Sequence, residues 1–162
     1  YPNIKFIYNE KYNEANNISS AYLVRDKFSN SYVLESDLYL YNQDLIRKYE
    51  YHSNFLGFKA DRTDDWCLET KNGIITKEKV GGLDCYQMCG ISYYDKETGK
   101  QMEKDIKEVF MSPGGKERYW EQVMLDVRKN NYKIYLRECK KEDIIEIDTF
   151  NELKAIDKTY DV

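Results

Sequence analysis

The sequence has 162 residues, a formal charge of −4 and a 15% share of aromatic side chains, with sixteen tyrosines. Charged residues make up 33% and hydrophobic residues 41%, so the chain is too apolar for a disordered tail and long enough to bury the core of one domain. The nearly balanced charge excludes a dedicated binder of nucleic acid or of acidic membranes, because such proteins need a basic face. No apolar stretch approaches the roughly 20 residues that span a bilayer. We therefore predict a soluble protein that binds neither nucleic acid nor membrane.

The cysteines and the histidine limit the metal chemistry that this chain can support. Four cysteines, at positions 67, 85, 89 and 139, form no Cys-x-x-Cys pair. They are predicted to be buried thiols in a reducing cytoplasm, since free cysteine is among the most buried residue types. The only histidine is His52, which excludes a zinc site built on two histidines.

The first 60 residues alternate between short apolar runs and helical patterns. The predicted elements are a strand at 4–8, a helix at 17–28, a strand at 32–34, a helix that begins at Asn42, and a strand at 55–60. A βαβαβ order of this kind predicts an α/β fold of the Rossmann-like type, with a mainly parallel sheet flanked by helices.

The rest of the chain begins with a change of pattern. Strand-like runs at 66–70 and 74–80 flank Asn72-Gly73, which is the strongest short signal for a β-hairpin, so we predict an antiparallel excursion over 61–95. The later predicted elements are a strand at 84–94, helices at 99–111 and 116–129, strands at 133–139 and 144–148, and a terminal helix behind the capping box of Thr149 and Glu152.

Two aspartates follow apolar runs directly. Asp37 ends the run that begins at Tyr32, and Asp148 ends the run that begins at Ile144. If their strands are neighbours in an open α/β sheet, both carboxylates project into the ligand crevice at one edge. Two carboxylates with no histidine suit Mg²⁺, which takes one or two protein carboxylates together with water and substrate phosphates. The alternative is that each aspartate only caps the turn or helix that follows it.

Three segments resemble the bacterial phosphocholine cytidylyltransferases, which belong to the nucleotidyltransferase superfamily. They are Asn16–Asp26, with Asn-Asn-Ile-Ser-Ser-Ala-Tyr-Leu, Tyr32–Leu40, with Leu-Glu-Ser-Asp, and Glu146–Asp148. The resemblance spans about residues 4–153. It implies a nucleotide-diphospho-sugar transferase type of fold and a Mg²⁺-dependent enzyme that joins CTP and phosphocholine to give CDP-choline and pyrophosphate.

The resemblance also implies roles for individual residues. Asp37 and Asp148 match the two metal-binding aspartates of the family. The start of the helix matches the part that approaches the nucleotide base, through Asn17 and either Ser19 or Ser20. Aromatic residues of the choline pocket are matched by Trp66, Tyr119 and Trp120, with Glu117 and Glu146 as nearby anions. A quaternary ammonium donates no hydrogen bond, so aromatic faces and carboxylates suit it. For Trp120, on an apolar helix face, packing in the core is an equal alternative.

The Gly-rich loop and lysine that bind the triphosphate in this superfamily have no match here. We therefore expect residues 1–162 to be one nucleotidyltransferase domain that lacks its N-terminal third, with the acceptor-binding excursion at 61–95. Such a fragment is expected to be inactive alone and to expose sheet edges through which it can self-associate. Two other functions remain open, namely transfer to a sugar phosphate and a non-catalytic domain that binds a ligand or partner.

Overall fold

Three α-helices and six strands form the regular structure of residues 2–161, which are the residues that the computed structural model describes. The helices are α1 (Ile18–Leu23), α2 (Lys96–Phe110) and α3 (Phe150–Ile156). The strands are β1 (Ser31–Leu34), β2 (Leu38–Leu40), β3 (Asn54–Lys71), β4 (Ile74–Tyr94), β5 (Tyr135–Glu138) and β6 (Ile144–Glu146). Short 3-10 turns connect several of these elements.

The strands form one four-stranded sheet and one two-stranded ribbon. The sheet has the order β1-β4-β3-β5, and β2 pairs with β6 in the ribbon. The predicted α/β class is confirmed. The strand directions differ from the prediction within residues 2–161, because β3–β5 is the one parallel pair and the other pairs are antiparallel. The reason is the long β3–β4 hairpin, which places β4 rather than a parallel strand beside β1.

The β3–β4 hairpin turns where the sequence predicts it. Asn72 and Gly73 have φ angles of 53° and 74°. Two consecutive positive φ angles are typical of the type I′ turn, which matches the twist of the flanking strands. The register of the hairpin shifts between Thr63 and Trp66, which is a bulge that bends the strand and re-aims its side chains.

The main hydrophobic core lies between the sheet and α2. Met102, Ile106, Val109 and Phe110 are buried on one face of this helix, as predicted. Asp95 caps the helix by accepting a hydrogen bond from the Thr98 backbone N–H. All four cysteines are buried, which was also predicted.

Three predicted elements are wrong. Residues 4–8 form no strand, and Phe6 in that segment is 93% exposed. The helix predicted from Asn42 is a single 3-10 turn, Gln43–Leu45. The helix predicted at 116–129 is replaced by a 3-10 turn at Gly115–Glu117 and a π-helical turn at Val123–Val127. Among the residues described, no helix has the length and apolar character needed to cross a membrane.

Candidate active site

One cavity of about 590 Å³ lies between α1, the end of β1, the bulge of β3 and the segment 119–121. Its lining includes five carboxylates, from Glu35, Asp37, Asp65, Glu121 and Glu146. Among the described residues, no lysine, arginine or histidine lines it. Like charges that converge without a counter-charge attract cations, so this cavity suits a metal ion or a cationic group of a substrate.

Two aromatic rings in the cavity wall meet edge to face. The ring centroids of Trp66 and Tyr119 lie 5.4 Å apart with an interplanar angle of 65°. Trp66 is half-buried and Tyr119 is 38% exposed, so both rings keep accessible surface within the cavity. Two ring faces set at a steep angle have the geometry of one corner of an aromatic cage, the kind of site that binds methylated ammonium groups through cation–π attraction.

A carboxylate is fixed beside this aromatic pair by the bulge of β3. The backbone N–H of Trp66 donates to Asp65 Oδ1 at 2.6 Å, and Gln87 Nε2 donates to Asp65 Oδ2 at 3.2 Å. Gln87 is itself held, because Thr63 Oγ1 donates to its Oε1 at 2.8 Å. The bulge therefore presents a ring and a negative charge next to each other in the cavity.

Three carboxylates form a cluster that could hold a metal ion. One ligand oxygen from each of Glu35, Asp37 and Glu146 lies within 4.8 Å of the others. The antiparallel pairing of β2 with β6 brings them together, because Leu38 pairs with Glu146 and the Ile147 N–H donates to the Asp37 carbonyl at 2.9 Å. Mg²⁺–oxygen bonds are about 2.1 Å long, so two opposite ligands lie about 4.2 Å apart and a small adjustment suffices.

The charges in this cluster repel one another. Burial first, and then the charges of Asp148, Asp37 and nearby acids, raise the pKa of Glu146 to about 7. Burial, and then Asp37 and Asp65, raise the pKa of Glu35 above its usual value. A bound cation would relieve this repulsion, which is why the donor set fits a hard divalent ion.

A further carboxylate of the cavity is almost fully buried. Glu121 is 4% exposed, and its Oε2 has no hydrogen-bond partner among the described residues. Burial raises the pKa of Glu121 to about 7, and the charge of Glu35 adds to this effect. A second buried acid, Glu78, is 8% exposed, and both of its carboxylate oxygens lack a partner among the described residues. Burial, and then the charge of Glu121, raise the pKa of Glu78 to about 8.

Comparison with known proteins finds relatives that are named as cytidylyltransferases. A choline-phosphate cytidylyltransferase of Streptococcus pneumoniae is 26% identical over 160 residues, which cover 96% of this chain and 68% of that protein. A 2-aminoethylphosphonate cytidylyltransferase of Lancefieldella rimae is 27% identical over 168 residues, which cover 99% of this chain and 66% of that protein. The chain is therefore similar to bacterial cytidylyltransferases over nearly its whole length.

Structural comparison finds the same fold in a solved cytidylyltransferase. The structure of CTP:phosphocholine cytidylyltransferase from S. pneumoniae superposes with a TM-score of 0.83 at 24% identity, over 96% of this chain and 68% of that one. This likeness confirms the nucleotidyltransferase type of fold. No protein-family model matches the sequence. The chain spans about two thirds of the length of the curated relatives that it matches.

The structure brings most of the predicted site residues to one place. Those that line the cavity are Asn17, Ser20, Asp37, Trp66, Tyr119, Trp120 and Glu146. Trp120 also contributes to the core, where it is 7% exposed and its ring packs against Phe28, Phe55 and Tyr94. Trp120 therefore belongs both to the wall of the cavity and to the hydrophobic core.

Three predicted residues do not line the cavity. Ser19 is buried and its Oγ donates to the Asn16 carbonyl at 2.9 Å. Glu117 is exposed. Asp148 is exposed as well, and its backbone N–H donates to Glu152 at 2.9 Å in the cap of α3, although its charge contributes to the raised pKa of Glu146.

Sequence reasoning missed three acids of the site. Glu35 lies two residues before Asp37, so the same strand-end argument would have found it. Asp65 precedes Trp66 and marks the bulge. Glu121 gave no signal, because a glutamate after Trp120 in a predicted amphipathic helix is typical of a solvent-exposed position.

Proposed function

We propose that the full-length protein transfers the cytidylyl group of CTP to phosphocholine, with release of pyrophosphate and dependence on Mg²⁺. The observation that carries this proposal is the combination, in one cavity, of a carboxylate cluster and an aromatic corner. The cluster of Glu35, Asp37 and Glu146 suits a divalent ion, and the corner of Trp66 and Tyr119 suits a quaternary ammonium. Two relatives support it by their names, one a choline-phosphate cytidylyltransferase and the other a 2-aminoethylphosphonate cytidylyltransferase.

The reaction needs no covalent protein intermediate. An oxygen of the acceptor phosphate attacks the α-phosphorus of CTP, a new P–O bond forms, and the bond from the α-phosphorus to the oxygen of the β-phosphate breaks, so that pyrophosphate leaves. Bound Mg²⁺ would neutralise the charge that develops on the phosphates. The residues of this chain would position the reactants, which converts the attack into an effectively unimolecular step.

Each part of the cavity has a distinct task in this proposal. Asp37, with Glu35 and Glu146, would hold the metal ion. Trp66 and Tyr119 would hold the headgroup, which fixes the acceptor phosphate at a set distance from the cluster. Asn17 and Ser20 would approach the nucleotide, since both line the cavity at the start of α1.

Asp37→Asn in the full-length protein tests the proposal. Because metal-ion stabilisation of phosphoryl charge is worth several kcal/mol, we expect pyrophosphate release to fall by about 100-fold or more. Asp61→Asn is the matched control, since Asp61 is an exposed acid of β3 outside the cavity. Calorimetry with Mg²⁺ should show weaker binding for Asp37→Asn alone. Turnover equal to that of the control variant would overturn the role of the cluster.

A further inference from the structure

The bulge of β3 contains a closed ring of hydrogen bonds. The Asp65 backbone N–H donates to Thr63 Oγ1 at 3.1 Å, and Thr63 Oγ1 donates to Gln87 Oε1 at 2.8 Å. Gln87 Nε2 donates to Asp65 Oδ2 at 3.2 Å, so the ring ends at the residue where it began. Because a hydroxyl group has a single proton, its donation to Oε1 fixes the orientation of the Gln87 amide and directs the N–H group at the carboxylate.

The ring orients the carboxylate of Asp65 without neutralising it. The donors to its two oxygens are the Trp66 backbone N–H and the Gln87 amide, and both groups are uncharged. In the part of the chain that the structure describes, no ion pair involves Asp65. The carboxylate cluster found among these residues for a metal ion does not include Asp65 either. Asp65 therefore presents a fixed negative charge to the cavity that it lines.

Resting on the proposed function, we propose that Thr63 and Gln87 are positioning residues for the acceptor, because they hold Asp65 as the counter-charge of its cationic headgroup beside the ring of Trp66. Neither Thr63 nor Gln87 lines the cavity, so both act through Asp65. The chemical step is unchanged, since the acceptor oxygen attacks the α-phosphorus of CTP and pyrophosphate leaves. The aromatic rings bind the methyl surface of the headgroup, and the carboxylate attracts its charge.

The sheet holds both positioning residues in place. Thr63 is 7% exposed, and its backbone is in register with Gly82 directly before the strand shifts. Gln87 is in register with Phe58 and also with Cys67, so β3 flanks its backbone on two sides. A carboxylate whose supporting groups are fixed in this way has little freedom to lose when a ligand binds, and it keeps its distance from the headgroup.

The experiment measures how strongly the full-length protein prefers a charged headgroup. A pyrophosphate-release assay compares phosphocholine with a dimethylbutyl phosphate of the same shape, in which a carbon atom replaces the quaternary nitrogen. The ratio of the two kcat/KM values gives the charge preference. A loss of folded protein or of CTP binding lowers both values and leaves their ratio unchanged, so the ratio distinguishes positioning from a purely structural role.

Three variants should lower this ratio. Asp65→Asn removes the counter-charge, and we expect a reduction of about fivefold or more. Thr63→Val keeps the branched shape but removes the hydroxyl, which releases the Gln87 amide, and we expect a reduction of about threefold or more. Gln87→Met keeps a similar volume and opens the ring at a second point, so it should reproduce the effect of Thr63→Val.

Two controls accompany these variants. Thr63→Ser restores the hydroxyl and should keep the wild-type ratio. Thr76→Val is the matched control, since Thr76 Oγ1 donates to the Glu69 carbonyl at 3.1 Å in the same hairpin but outside the cavity. It should keep the wild-type ratio as well. Thermal unfolding checks that each variant folds, and Gln87→Met replaces Thr63→Val if the latter does not.

The outcomes separate this inference from the proposed function. A wild-type ratio in the folded ring variants, with phosphocholine still turned over, would overturn the inference and leave the proposed function standing. Weaker Mg²⁺ binding by Asp65→Asn in calorimetry, with an unchanged ratio, would also overturn it and assign Asp65 to the metal. No pyrophosphate release from the wild type with phosphocholine would overturn the proposed function, and the positioning roles with it.

Discussion

Gly90→Ala is expected to weaken Mg²⁺ binding, beyond the stability cost that any left-handed glycine position carries. Gly90 has a φ angle of 60° and lies under the Glu35 carboxylate. A methyl group built there would overlap Glu35 Oε2 and lie 2.9 Å from Glu35 Cδ. Ordinary contacts between carbon atoms are about 3.5–4.0 Å, so the carboxylate has to move by roughly 1 Å. That shift takes one oxygen out of a cluster whose ligand atoms lie within 4.8 Å of one another.

Two effects of this substitution have to be separated. A non-glycine residue in the left-handed region costs about 1–2 kcal/mol of stability wherever it occurs. Gly73→Ala carries the same cost, because Gly73 has a φ angle of 74° and nothing lies within 4 Å of its added methyl group. Both variants should therefore lose a similar free energy of unfolding in urea. In Gly90→Ala alone, the displaced ligand should weaken Mg²⁺ binding by about tenfold or more in calorimetry. Wild-type Mg²⁺ affinity in Gly90→Ala would refute the assignment of Glu35 to the metal cluster.

Two further predictions concern the aromatic corner of Trp66 and Tyr119 and the buried acid Glu78. Trp66→Ala should raise KM for phosphocholine by roughly 30-fold, since a desolvated cation–π contact is worth about 2 kcal/mol, and an unchanged KM in steady-state kinetics would count against the cage. Glu78→Gln should stabilise the protein near pH 8. The pKa of Glu78 is raised from 4.5 to about 8, so between these pH values the folded state keeps a proton that the unfolded state releases. The wild type therefore loses stability as the pH rises through this range, by an amount on the order of a few kcal/mol. Urea unfolding at pH 5 and pH 8 measures this, and equal pH dependence in the two proteins would contradict it.

Elements with local signals could be predicted from the sequence. The hairpin at Asn72-Gly73 depends on two adjacent positive φ angles, which this pair of residues favours. The cap of α3 depends on Thr149 and Glu152, whose reciprocal hydrogen bonds are present. In both cases the residues that determine the structure are neighbours in the chain, so their interaction does not depend on the rest of the fold.

The helix predicted from Asn42 was wrong because distant residues compete for its backbone groups. Asn42 does cap a turn, since its side chain accepts a hydrogen bond from the Asp44 N–H. The turn ends at Leu45, whose carbonyl accepts from the guanidinium of Arg137. Two residues later, the Arg47 N–H donates to the Tyr32 hydroxyl at 3.1 Å. These tertiary partners replace the bonds that would continue a helix, and a periodic pattern cannot reveal them.

The candidate site also depends on residues that are far apart in the chain, which local sequence patterns cannot bring together. Its carboxylates and rings come from positions near 35, 65, 120 and 146, and a different structural feature brings each group to the cavity. The β2–β6 ribbon pairs Leu38 with Glu146 and so places Glu146 near Asp37, and the bulge of β3 re-aims Trp66. The buried ring of Trp120 anchors its neighbours Tyr119 and Glu121. The predicted mainly parallel sheet would have joined Asp37 to Asp148 instead, through neighbouring strand ends. The antiparallel ribbon instead joins the start of β2 to the end of β6, and this difference in direction brings Glu146 into the carboxylate cluster with Asp37, while the charge of Asp148 acts on Glu146 from nearby.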